Sequence, residues 1–168
     1  MDRGNIIGDH NPGNIETEMS ERVVILGAGE SGTGAALLAK QKGFEVFVSD
    51  QGTIKDKYKQ ELGSESISFE ESKHSDDKIL NASLVIKSPG IPLKAEIVKK
   101  IKAAGISIID EIEFAFLYTD AKIIAITGTN GKTTTTLLTY HLMKEAGFNV
   151  ALGGNVGFSM ARQVASSK

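Results

Sequence analysis

The segment RVVILGAGESGTG, residues 22–34, reads as a strand running into a Gly-rich turn that opens a helix. Val23–Leu26 is an unbroken apolar run, and Gly27, Gly29 and Gly32 follow it at once. Glycines at such a junction permit a tight turn and let backbone amides approach a phosphate at the helix N-terminus. Working outward, further short apolar runs occur at Val46–Val48, Leu84–Ile86, Ile106–Ile109 and Ile123–Ile126, with a weaker one at Ile67–Phe69. Continuous runs, in place of alternation, predict strands covered on both faces, as in a parallel sheet. Helical stretches lie between them. Ala35 to Lys42 stops before Gly43, Lys94 to Ala104 before Gly105, and Thr133 to Ala146 before Gly147. Strand and helix in alternation predict an α/β fold: a Rossmann-like parallel sheet with right-handed crossovers.

The chain has 168 residues, with 19 Lys plus Arg against 21 Asp plus Glu, three His and no Cys. Without cysteine, disulfide scaffolds, thiolate zinc sites and Cys nucleophiles are excluded. A net charge of −2 argues against an electrostatic nucleic-acid binder. No run reaches the ~18 apolar residues that would span a membrane. The opening stretch also lacks the basic start and apolar core of a signal peptide, so the expectation is a cytoplasmic protein. Residues 1–20 are rich in Gly, Asn, Asp and Glu without periodicity, and composition predicts a disordered leader. A boundary is expected near Tyr118–Lys122. The expected organisation is a Rossmann-like domain over 21–119 and the start of a second, phosphate-loop domain over 120–168, too short for a nucleotide-binding sheet of its own. The strand at Ile123–Ile126 is expected to lack its natural neighbours.

Two motifs carry chemistry. In GAGESG, residues 27–32, the turn is a nucleotide-binding candidate, and Asp50 at the end of the next strand stands where an acid can take a ribose hydroxyl. Nicotinamide, flavin and UDP-sugar binders all use such turns, and acids also end strands without a role. The second motif is stronger. Ile123–Ile126 leads into TGTNGKTT, residues 127–134, and then a helix, which is phosphate-loop architecture. Backbone amides of Gly128, Thr129, Asn130, Gly131 and Lys132 would cradle the anion. Lys132 would neutralise β/γ-phosphate charge, and the Thr133 hydroxyl would sit on Mg²⁺. This reads as an ATP site. The usual loop has a glycine where this chain has Ile126.

Weaker signals are KSPGIP, residues 87–92, and GGNVG, residues 153–157. Ser88 follows a strand, where ligands bind in open α/β sheets, although an ordinary turn is the better physical reading. Asn155 is either a ligand-facing amide or a tolerant turn residue. His10, His74, Glu111 and Glu113 are expected on the surface, His141 is expected to be non-catalytic, and Asp76-Asp77 is expected to start a helix. No serine has a nucleophile-elbow context.

Together these residues resemble the Mur ligases of bacterial cell-wall synthesis. ITGTNGKTTTT, residues 126–136, is similar to their signature, missing glycine included. GAGESG, KSPGIP, DEIEFA (110–115) and GGNVG most resemble those members that add D-glutamate. The resemblance implies a UDP-sugar-binding first domain, an ATP-binding central domain and a third domain for the amino acid. It implies an ATP-driven ligase with Mg²⁺, acting on UDP-N-acetylmuramoyl-L-alanine and D-glutamate through an acyl phosphate, as a monomer. Gly29, Glu30, Ser31 and Asp50 would face the uridine end. Ser88 would lie near the diphosphate or sugar, and Asn155 would contact the UDP-substrate near ATP. Gly128 to Thr134 would hold ATP, with Lys132 catalytic. The chain would stop short of the family's adenine pocket and remaining catalytic groups, so no turnover is expected from it alone. The competing readings are a Mur ligase for another amino acid, a non-catalytic UDP-sugar-binding module and a nicotinamide-dependent oxidoreductase.

Overall fold

The computed structural model describes residues 21–154 and 156–167. The expected leader and Asn155 lie outside the described residues. Five strands form one parallel sheet: β1 (Arg22–Leu26), β2 (Glu45–Ser49), β3 (Ser68–Glu70), β4 (Leu84–Lys87) and β5 (Ser107–Asp110). Their spatial order is β3-β2-β1-β4-β5, and every pairing is parallel. This is the strand order of a Rossmann-type sheet, with its topological switch between β1 and β4.

Alternate residues of the apolar runs feed two separate cores. Val23, Ile25, Val46, Val48 and Ile86 pack on one face, beneath α1 (Glu30–Gln41), α2 (Asp56–Ser64) and α5 (Glu111–Phe116). Val24, Leu26, Phe47 and Val85 pack on the other face, beneath α3 (Asp76–Ile79) and α4 (Glu96–Ala103). Both faces are covered, which is why the strands read as unbroken runs. In α4 the expected stripe holds, with Ile97, Val98 and Ile101 buried.

The strand expected at Ile123–Ile126 does not form. Ile123–Ile126 is irregular backbone, and Ile123 and Ile124 are 48% and 59% exposed. An apolar run becomes a strand only when a neighbour takes its backbone hydrogen bonds, and none does so among the described residues. Val150–Leu152 also forms no strand, and an isolated bridge joins Gly153 to Phe158 instead. The helix after the phosphate loop, α6 (Lys132–Glu145), has no buried residue. The last helix, α7 (Met160–Ser166), behaves differently. It packs along α1 and α5, and its Ala161 is fully buried in the first core. Among the described residues no helix is long and apolar enough to cross a membrane.

Candidate functional site

Leu26 pairs with Ser49 on one side and Lys87 on the other. The next residue of each strand is therefore Gly27, Asp50 or Ser88, and the register sets these three at one end of the sheet. Gly27 has φ +89°, and its N–H donates to the Ser49 carbonyl at 2.8 Å. A Cβ on Gly32 would stand 1.8 Å from the Gly27 carbonyl oxygen. The turn closes only because position 32 carries no side chain. Asp50 braces the same turn: one carboxylate oxygen accepts from the Ala28 N–H at 2.6 Å, the other from the Gly52 N–H at 2.7 Å.

Beside this turn lies a cleft of about 270 Å³, lined by Gly29, Glu30, Asp50, Thr53, Lys55 and Tyr58 among others. It joins the Gly-rich turn to the loop after β2 and the start of α2. The structure thus brings together Gly29, Glu30 and Asp50. Thr53, Lys55 and Tyr58 carry no motif and were not found from the sequence. Gly29 is the N-cap of α1 and has no side chain to cap it, so first-turn N–H groups are open to a ligand. Ser31 follows, half-buried, in that first turn.

Ser88 stands across the switch point, with its hydroxyl 3.4 Å from the Gly27 carbonyl. A Cβ on Gly27 would lie 2.8 Å from that hydroxyl oxygen, so the two loops pack directly. Lys87 folds over the turn beyond, donating to the carbonyls of Ser88 and Ile91, each at 3.0 Å.

Glu111 is not on the surface as expected. It is buried, and one of its carboxylate oxygens accepts from the Ala161 N–H at 2.5 Å, at the start of α7. Burial pushes its carboxyl above the usual range, against the hydrogen bonds from Ala161 and Met160. Arg162 on the same helix donates from Nε to Glu30 Oε1 at 2.7 Å and from an Nη to Glu30 Oε2 at 3.3 Å. Its other Nη donates to Glu61 at 2.7 Å. Contacts that join residues more than a hundred positions apart leave no local signal, and sequence reasoning missed Arg162 and Glu61.

His74, expected on the surface, is half-buried in a polar cluster with fully buried Ser49 and buried Glu70. The Ser49 hydroxyl lies 2.8 Å from Glu70 Oε1 and 2.7 Å from His74 Nδ1. Burial alone would raise the Glu70 carboxyl, but hydrogen bonds from Ser75 and Ser49 bring it below the usual range. Glu70 therefore takes the one hydroxyl proton, and His74 Nδ1–H donates to Ser49. Burial lowers the imidazole's proton affinity, against the charges of Glu70 and Asp50. The cluster ties β2 to β3 directly behind Asp50. Ser49 is too enclosed to be a nucleophile.

The phosphate loop differs from the first site. Gly128 and Gly131 have φ +152° and +76°, and Lys132 Nζ donates to the carbonyls of Gly128 and Thr129. Gly128 through Thr134 are exposed. The first turn of α6 holds no acid, and Lys132 and Thr133 supply a cation and a hydroxyl. This donor set suits an anion such as a polyphosphate. No sheet backs the loop among the described residues, so the ATP site expected from the sequence is not assembled around it. Nor does any group of acidic residues or histidines stand ready for a metal among the described residues.

A five-stranded parallel sheet with a Gly-rich turn at its switch point, and an acid closing the next strand, defines a Rossmann-like α/β protein. Residues 22–97 match the MurD N-terminal domain, and residues 126–167 match the Mur ligase middle domain. The UDP-N-acetylmuramoylalanine--D-glutamate ligase of Bacteroides thetaiotaomicron is 63% identical over 145 residues, which is 86% of this chain and 33% of that protein. The Cytophaga hutchinsonii protein of the same name is 55% identical over 89% of this chain and 34% of its own length. The chain thus spans about a third of the length of these curated relatives. Among solved structures, a murein peptide ligase from Psychrobacter arcticus superposes with a TM-score of 0.57 at 25% identity, covering 76% of this chain and 27% of that one. A pseudomurein peptide ligase type C from Methanothermus fervidus gives 0.54 at 27% identity, over 79% and 29%. The chain belongs to the Mur ligase family.

Proposed function

We propose that this chain supplies the nucleotide-sugar site and the phosphate loop of a cytoplasmic, ATP-dependent amide ligase. That ligase adds D-glutamate to UDP-N-acetylmuramoyl-L-alanine in peptidoglycan precursor synthesis. The observation that carries the reading is the identity to the Bacteroides thetaiotaomicron ligase, which runs through both the Gly-rich turn and the phosphate loop.

In this reading the cleft beside Gly29, Glu30, Ser31 and Asp50 takes the uridine end. Ser88, across the switch point, lies toward the diphosphate or sugar, and Asn155 contacts the same substrate. The nucleotide triphosphate rests on Gly128, Thr129, Asn130, Gly131, Lys132, Thr133 and Thr134. A carboxylate acylates poorly until its oxygen is converted into a leaving group. The L-alanyl carboxylate oxygen attacks the γ-phosphorus and ADP departs, giving an acyl phosphate. The D-glutamate amine then adds to the acyl carbon, and phosphate leaves from the tetrahedral intermediate. Lys132 neutralises charge on the transferring group, and the Thr133 hydroxyl would hold the metal. Bound Mg²⁺ supplies further neutralisation of phosphate charge.

Calorimetric titration of the chain with UDP-N-acetylmuramoyl-L-alanine, against NADH as control, tests the reading. Saturable binding of the UDP-sugar that Asp50→Ala or Ser88→Ala weakens is expected. Binding of NADH alone would overturn it in favour of an oxidoreductase.

A further inference from the structure

Glu30 poses an electrostatic problem for an anion site. It is the first residue of α1, where the helix dipole and open amides favour a negative ligand, and it is one of the residues lining the cleft. A free carboxylate there would compete with, and repel, an incoming diphosphate. The carboxylate is not free. Arg162 grips both of its oxygens, and the Ser159 N–H donates to Glu30 Oε1 at 3.2 Å. The guanidinium is itself held from the far side by Glu61 of α2, and its side chain is only 17% exposed. A planar fork on a carboxylate fixes direction as well as charge.

We propose that Arg162 is a positioning residue for the nucleotide cleft. It draws the Glu30 carboxylate toward α7 and neutralises it, so that seating of α7 and binding of an anionic nucleotide favour one another. The inference rests on reading the cleft as the nucleotide site. Two further anchors keep α7 in place when Arg162 is trimmed: the Glu111 carboxylate on Ala161 N–H, and the close passage of Ser159 over Gly34. Trimming Arg162 therefore exposes the Glu30 charge while the helix stays seated. The coupling is reciprocal, so a bound nucleotide also slows amide exchange over 160–166.

The test titrates the full 168-residue chain with UDP and, separately, with uridine. Arg162→Ala is expected to weaken UDP about tenfold, the scale of one charge–charge contact near a protein surface, with uridine nearly unaffected. Glu30→Gln in the Arg162→Ala background is expected to recover UDP affinity. UDP binding indifferent to Arg162→Ala overturns the proposal and leaves the nucleotide reading standing. Equal loss of UDP and uridine without rescue by Glu30→Gln also overturns it, because the cleft has then collapsed. Absence of UDP binding in the parent chain overturns both.

Discussion

Gly34 of α1 and Ser159, the N-cap of α7, meet so closely that a Cβ on Gly34 would stand 2.1 Å from the Ser159 hydroxyl oxygen. The same Cβ would lie 3.1 Å from the Arg162 backbone nitrogen. Ser159 is buried, and its hydroxyl accepts from the Arg162 N–H at 3.2 Å, so neither group is free to swing aside. The absence of a side chain at position 34 is what admits α7 to the first core.

Gly34→Ala is accordingly expected to lift α7 while the sheet stays folded. Overpacking of this kind costs about 1–3 kcal/mol, and detachment of one short helix releases it. Hydrogen exchange should show residues 160–166 losing protection while β1 and β2 keep theirs. Unchanged protection of α7 would show that the contact is slack.

Asp50 holds two backbone amides at once, and this defines a second expectation. Asp50→Asn retains one acceptor oxygen and turns an NH₂ toward the other N–H. A buried or half-buried amide left unpaired costs about 1–3 kcal/mol. The variant should unfold at lower denaturant with an unchanged slope, and its UDP affinity should fall with the loosened turn. Stability equal to the parent would mean that solvent satisfies the amide.

The parallel sheet was legible for a physical reason. Each of β1, β2 and β4 is covered on both faces, so local apolar runs such as Val23–Leu26 carry the information by themselves. The Gly-rich turn and Asp50 were legible because their spacing along one strand–turn–helix unit fixes their geometry. Ile123–Ile126 misled because its pattern reports the propensity to be a strand, and a strand also needs a partner. Glu111, His74 and Arg162 were misread or missed for a third reason. Their burial depends on elements far away in the chain: α7 for Glu111, Ser49 for His74, and Glu30 and Glu61 for Arg162.

Glu111 makes stability depend on pH with a definite sign. Its carboxyl binds a proton more tightly in the folded chain, because burial penalises the charged form. The folded state then holds more protons than the unfolded one across the interval above the ordinary carboxylate range, and stability falls as pH rises through it. Glu111→Gln keeps an acceptor for the Ala161 N–H and removes the titration. The variant should show a flatter stability profile over that interval and a gain at neutral pH. A parent profile that rises there, with no difference from Glu111→Gln, would refute this.

Lys132→Ala separates the phosphate loop from the fold. Lys132 is exposed and, among the described residues, donates to carbonyls of its own loop, so the substitution should move stability by less than about 0.5 kcal/mol. In the ligase proposed above, the same change would remove charge stabilisation aimed at the transferring phosphoryl. It should lower kcat by about 10²–10³ or more, the scale seen when one such group is lost. A large loss of stability in this chain would mean that the loop is packed, contrary to its exposure.

The apolar residues of α6 give the sharpest contrast with the first core. Leu138 and Leu142 are 55% and 59% exposed, whereas Leu38 of α1 is fully buried. Hydrophobic stabilisation scales with the area removed from water, and a half-exposed leucine has given up little. Leu142→Ala should therefore change stability by only a few tenths of a kcal/mol, and Leu38→Ala should cost about 2–5 kcal/mol. The two leucines are alike in sequence context, each on a helix that follows a Gly-rich turn. Urea unfolding of both variants measures how far burial, and not residue type, sets their worth. A Leu142→Ala cost comparable to that of Leu38→Ala would show that α6 is packed in solution against apolar surface. The exposed run Ile123–Ile124 would be the first place to look for that contact, by hydrogen exchange across 123–126.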